Sequence, residues 1–242
     1  MRKVLLLTVF LAVILVACEV KIGDGKPIEF TETKMYEESI PLKNETRLEA
    51  SVEFAIGELD IGGTDSDLFN GVFETNVKNW KPIFNRQLVD SKTMLEIKHQ
   101  DGTFSGFNKF NNLTNKWKLA FNREIPLNLQ IESGIGETDI ILDSLNLNNF
   151  KLESGLGETK VKIGHLYSKD CKIRIDGGIG QIEVDLPDHV GIRLKVEKGI
   201  GEIKVNGLNK VDKDLYENEE WDKNHNRIEL EIKIGVGLIK VI

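Results

Sequence analysis

Apolar and polar side chains alternate with a period of two through most of this chain. Leu127, Leu129 and Ile131 interleave with Asn128, Gln130 and Glu132, while Thr159, Val161 and Ile163 interleave with Lys160 and Lys162. One apolar face per segment predicts half-buried β-strands. Arg47 to Ile61 and Lys92 to Lys98 alternate in the same way, and no segment holds helical periodicity for long. Asn79-Trp-Lys-Pro82, Asp101 to Gly106 and the Asn-rich stretch near Asn111 read as turns.

A repeat sits on top of this alternation. Gly134-Ile-Gly136, Gly155-Leu-Gly157, Gly178-Ile-Gly180, Gly199-Ile-Gly201 and Gly235-Val-Gly237 each follow one alternating run and precede another. A degenerate copy, Ala55-Ile-Gly57, lies upstream. The second glycines at 136, 157, 180 and 201 are 21, 23 and 21 residues apart; the next step, to 237, is 36, because an insertion at about 209–226 intervenes. Across each pair of glycines the buried phase slips by one residue, which a corner or bulge produces and glycine tolerates. Periods of this size mean a solenoid or an array of hairpins.

The outward residues favour stacking. Asp139, Lys160, Glu183, Lys204 and Lys240 occupy one position of the repeat, so a parallel stack in chain order forms a ladder of mostly alternating sign, and Lys162 meets Asp185. Glu132, Glu153, Asp176 and Glu197 form a like-charge row in the same stack, and Glu137, Glu158 and Glu202 form another. The expected fold is all-β: a parallel β-solenoid-like stack over residues 123–242 with Gly-x-Gly corners, preceded at 31–122 by an irregular β region that caps its end.

The amino terminus adds a location. Arg2 and Lys3 precede Val4 to Ala17, whose one polar residue is Thr8. Fourteen residues rise about 21 Å as a helix, short of a hydrocarbon core of about 30 Å, so residues 1–17 read as an export signal. Leu15-Val16-Ala17-Cys18 resembles the lipobox of bacterial lipoproteins. That resemblance implies a lipid on the Cys18 sulfur, cleavage after Ala17, and anchoring of the exported chain to a bacterial membrane through a tether at 18–30. Without residues 1–17 the chain keeps 30 basic and 39 acidic side chains, a balance that gives nucleic acid no electrostatic footprint. With Cys18 acylated, only Cys171 remains, which excludes a disulfide framework; its alternation with Ile173 and Ile175 predicts a buried thiol.

Residues 44–242 resemble the toast-rack family of adhesin-like bacterial envelope lipoproteins. The residues that carry the likeness are Leu48 to Gly63 with Gly57-Glu-Leu, Asn79-Trp-Lys-Pro82, Ile125-Pro-Leu-Asn-Leu-Gln-Ile131, Asp185-Leu-Pro187 and Gly235-Val-Gly-Leu-Ile239. The tail is also similar to the soluble domain of cell-wall stress-response membrane proteins. The resemblance implies a fold and an envelope location, and it brings no catalytic residues.

The chemical candidates in the sequence are weak. Asp176-Gly-Gly-Ile-Gly-Gln-Ile-Glu-Val184 lacks the aspartate that a calcium-binding nonapeptide needs, having Ile182 there. Asp65-Ser-Asp67-Leu-Phe-Asn70-Gly71 misplaces the glycine of a calcium loop and reads as a surface turn. Histidines 99, 165, 189 and 225 are scattered, and no nucleophile elbow or phosphate loop occurs. Trp80 and Trp117 read as core seals, and Trp221, in the acidic insertion, as the most exposed tryptophan. The expected function is a non-enzymatic envelope scaffold or adhesin-like binding module with no cofactor or metal. Its partner would be an envelope protein or glycan, met through the acidic rows and the insertion around Tyr216, Glu220 and Trp221. The alternatives are a sensor subunit of an envelope stress response and a β-helix polysaccharide-active enzyme. A groove lined by clustered Asp, Lys and Arg would favour the enzyme.

Overall fold

The computed structural model describes residues 29–99, 112–143, 145–164 and 170–242. Cys18, the export signal, most of the tether, the turn at 101–106, Asn111 and His165 lie outside these residues. The alternating segments form thirteen strands, with no α-helix among the described residues. In chain order they are β1 (Phe30–Pro41), β2 (Arg47–Thr64), β3 (Asp67–Val77), β4 (Pro82–Val89), β5 (Lys92–His99), β6 (Asn115–Asn122), β7 (Leu127–Ile141), β8 (Leu147–Lys162), β9 (Asp170–Asp185), β10 (Gly191–Val205), β11 (Asn209–Asp212), β12 (Leu215–Glu217) and β13 (Arg227–Val241). All belong to one open sheet in the order β1-β3-β6-β2-β7-β8-β9-β13-β10-β12-β11, with the β4–β5 hairpin attached to β2.

The Gly-x-Gly elements are bends inside long strands, one per repeat, rather than loops between strands. At Gly157 φ is +143°, a region that side-chain-bearing residues avoid. A Cβ there would stand 1.9 Å from the carbonyl oxygen of Gly136, and one on Gly180 would stand 1.8 Å from that of Gly157. The stack is therefore built on glycine facing glycine. Ala55 replaces the first glycine in β2 for a physical reason. On that side β5 pairs with residues 47–53 and β6 with residues 58–64, so no strand stacks against Ala55.

The bend lets one sheet enclose its own core. Before it the core-facing positions are odd in β7 (Leu127, Leu129, Ile131), and after it they are even (Thr138, Ile140). Both halves join one cluster of buried residues, and Ser133 Oγ and Thr138 Oγ1 meet at 2.9 Å across the inside of the bend. The preceding region covers the stack's first strand, as a cap must: the outer edge of β2 is taken up by β5 before the bend and by β6 after it. Residues 67–71, expected as a surface turn, instead open β3, and Leu68 and Phe69 are buried. Two apolar neighbours in sequence outweigh the turn composition around them.

Among the Gly-x-Gly strands, spatial order departs from chain order at one point. β13 inserts between β9 and β10, pairing parallel with both along its whole length. The outward ladder is thus Asp139–Lys160–Glu183–Lys240–Lys204, so Glu183 meets Lys240 at 3.2 Å and not Lys204. The acidic row is broken as well, because Lys233 stands between Asp176 and Glu197 and bonds Glu197 at 3.2 Å. The row of Glu137 and Glu158 likewise continues through Gln181 and Leu238 before Glu202. Chain order would put Asp176 beside Glu197; the insertion replaces that contact with two acid–base neighbours and accepts Lys240 beside Lys204. Lys162 and Asp185 are neighbours as expected, 4.0 Å apart.

Candidate functional site: a polar trough across the sheet

Outside the bend's first half, the solvent-facing positions of successive strands fall into register. One row runs Met94, Glu49, Asn128, Asn149, Lys172, Glu229 and Arg193. The next runs Glu96, Ser51, Gln130, Lys151, Arg174, Glu231 and Lys195. These rows floor a trough of 1180 Å³. Asn85 and Gln87 of β4 line it at one end and Leu215 of β12 at the other, so nine strands contribute.

Chemistry changes along the trough. The β2–β8 end carries carboxamides, and Asn149 Nδ2 donates to Asn128 Oδ1 at 3.1 Å. The β9–β10 end is ionic and internally neutralised. Arg174 donates to Asp176 at 2.6 Å and to Glu231 at 2.8 Å, Lys195 lies 3.7 Å from Glu231, and Arg193 holds Glu217 at 2.6 Å. Partial burial pushes the Glu231 carboxyl up, but the hydrogen bond from Lys233 and the charges of Lys233, Arg174 and Lys195 outweigh it, leaving the group below the usual carboxylate range. Such a carboxylate is ionised at neutral pH and unsuited to donating a proton. The expected mark of an enzyme is thus half present: Lys and Arg converge, with glutamates in place of Asp, and Glu229 and Glu231 face cations at 3.9 and 2.8 Å.

The insertion is packed down. β12 pairs with the first half of β10, Tyr216 packs against the core, and Trp221 is buried between Arg193 and Arg227, whose guanidinium carbons lie 4.2 and 5.3 Å from its ring centre. Trp221 is thus buried like the other two tryptophans, though marginally the most exposed of the three, and the insertion does not present it for contact. Its anchors are Arg227, six residues on, and Arg193, distant in sequence, which composition does not reveal. The Glu220 carbonyl accepts from the N–H groups of Lys223 and Asn224 in a local turn. Trp80 and Trp117 are buried as expected.

His99 packs on Trp117, Trp80 and Phe54 with ring centres 4.4, 5.0 and 5.7 Å away. Neither ring nitrogen has a hydrogen-bond partner among the described residues, and burial pushes its pKa down to about 3. It is a neutral packing group. Burial likewise pushes the Cys171 thiol up to about 12, and its side chain is enclosed and free of any disulfide. No group of three His, Cys, Asp or Glu able to hold a metal comes together among the described residues.

Residues 29–185 match the N-terminal domain of toast-rack proteins, and residues 134–241 match the C-terminal domain of LiaF, described as cell wall-active antibiotics response. A solved structure from Clostridium sporogenes, provisionally designated a cell adhesion protein, is 30% identical, with 87% of this chain and 99% of that one covered and a TM-score of 0.83. A protein of Bacteroides fragilis provisionally designated an adhesin is 11% identical over 90% of this chain and 100% of its own, at a TM-score of 0.29 that carries no argument. No curated protein matches the chain.

Proposed function

The chain belongs to the toast-rack family, and from that premise we propose that it is an exported envelope lipoprotein, anchored through Cys18, that works by presenting the trough to an envelope partner without turning it over. The observation that carries the binding role is the trough itself: a seven-strand floor, lined at its ends by β4 and β12, whose charges are already paired. A pre-neutralised surface rich in carboxamides suits an uncharged polar chain such as a glycan, because hydroxyls exchange hydrogen bonds with amides without disturbing the ion pairs. The adhesin-like designation of the Clostridium sporogenes protein supports this reading.

Two measurements test it. Wild-type chain expressed in a bacterial host should carry a lipid mass increment and fractionate with membranes, and Cys18→Ser should lose both. For the trough, Asn128→Arg/Asn149→Arg places bulk on the floor at solvent-facing positions. Retention on cell-wall polysaccharide should fall with the melting temperature unchanged; undiminished retention would remove the trough from the proposal.

A second reading rests on the match to the LiaF C-terminal domain: the repeat reports envelope stress to a membrane regulator. Deleting the gene should then change the induction of an envelope-stress reporter, whereas a pure adhesin leaves it unaltered.

A further inference from the structure

The sheet ends abruptly at β10. Its first half is covered by β12, which pairs with Arg193–Lys195, and Val196 N–H donates to Asp214 O at 2.9 Å. From Glu197 to Val205 no described strand pairs with the outer edge. The core shows the consequence. Ile192, Leu194 and Val196 are buried under the hairpin's reach, but Ile203 and Val205 are only half-buried. Their counterparts Ile239 and Val241 in β13, and Ile182 and Val184 in β9, are enclosed. Ile200, at the bend, is 72% exposed. Lys204 bonds Glu202 of its own strand at 3.3 Å, with Lys240 on its inner side and no described strand on its outer side.

We propose that this half-edge pairs antiparallel with the same half-edge of a second copy, about a two-fold axis between Ile200 and Gly201. The register follows from the phase slip at the bend. Before it, even-numbered residues point their backbone groups outward, as Val196 and Ile192 do toward the insertion; after it the parity is reversed, because Asn206 N–H donates inward to Val241 O. Antiparallel pairing requires outward groups to face outward groups and core-side side chains to share a face. A strand with a one-residue slip at its centre meets both conditions against itself when paired residue numbers add to an odd total.

With the axis between Ile200 and Gly201, Lys198 faces Ile203 of the second copy, and the pairing stops short of Val196, whose N–H is already held by Asp214. Glu197 faces Lys204 in the closer, non-hydrogen-bonded kind of pair. The same contacts recur across the axis. Both charge rows continue with the opposite sign: Lys233–Glu197 is followed by the second copy's lysine, and Lys240–Lys204 by its glutamate. Self-complementarity of charge, face and backbone parity in a single register is the reason to assign a second copy rather than an unrelated strand. The inference does not depend on what the trough binds.

The full chain in detergent tests this by disulfide trapping. Glu197→Cys and Lys204→Cys are made separately, each with a different tag. A non-hydrogen-bonded pair places Cα atoms about 4.5 Å apart, within the range a disulfide spans. Mild oxidation should link the two variants when mixed, and neither variant should exceed the unsubstituted chain when oxidised alone. Sedimentation should show a dimer that Lys204→Glu weakens roughly tenfold, since two like-charge contacts are created, and that Glu197→Lys/Lys204→Glu restores. A chain that sediments as a monomer at all accessible concentrations overturns the proposal. So does linkage of either single variant with itself as strong as in the mixture.

Discussion

Gly157→Ala tests the physical basis of the stack. The added methyl meets two penalties. At φ +143° a side-chain-bearing residue occupies a region essentially reserved for glycine, at a cost of about 1–3 kcal/mol. The new Cβ would also lie 1.9 Å from the carbonyl oxygen of Gly136, well inside contact distance, so β7 and β8 must separate there. Losing one or two ladder hydrogen bonds adds about 1 kcal/mol each. Together these predict destabilisation of about 4 kcal/mol, which for a chain of this size lowers the melting temperature by roughly 10 °C. Gly62→Ala is the control, because Gly62 lacks a positive φ and nothing lies within 4 Å of its Cβ position. There the loss of unfolded-state freedom should leave stability unchanged or raise it by about 0.5 kcal/mol. Urea denaturation of both variants measures the difference. If Gly157→Ala stays within about 0.5 kcal/mol of the unsubstituted chain, the glycine ladder is not what sets strand spacing.

Other outcomes follow from the same geometry. His99 is neutral when folded and titrates near 6.5 when unfolded, so acid favours the unfolded chain. Stability is complete above pH 6.5 and falls by about 1.4 kcal/mol per pH unit below it, until the folded group titrates near 3; His99→Phe should flatten that part of a stability-against-pH curve measured by urea denaturation. Glu183→Lys sets a new cation between Lys160 and Lys240, with Lys204 next in line, and makes a run of four cations, whereas Lys160→Glu joins Asp60, Asp139 and Glu183 into an acidic run of four. Thermal melts should show comparable losses for the two variants, and both losses should shrink in about 1 M salt. Trp221→Ala should cost about 3 kcal/mol by urea denaturation, since it empties a buried site between two arginines.

The period-two alternation, the glycine positions and the one-residue slip were legible in the sequence because each is a property of a single strand: which face is apolar, and where the backbone must bend. Register was legible for the same reason, since glycine must face glycine; Gly136, Gly157 and Gly180 align as their spacing requires. The identity of Cys171 as a buried thiol also followed from its own strand. Strand order did not. The Gly-x-Gly strands are near-equivalent, so any of them fits beside any other, and local pattern does not say that β13 slips between β9 and β10. That choice rests on summed cross-strand pairs, Lys233 between Asp176 and Glu197 and Lys240 beside Glu183, and on a long insertion that carries the chain around the β10 edge. The trough has the same origin. Its lining draws on nine strands, and only their assembly in this order brings carboxamides to one end and paired charges to the other. Trp221 looked exposed because its neighbours in sequence are acidic; its neighbours in space are Arg193 and Arg227. A strand's own residues set what it prefers on each face, and the competition among partners decides which strand it meets.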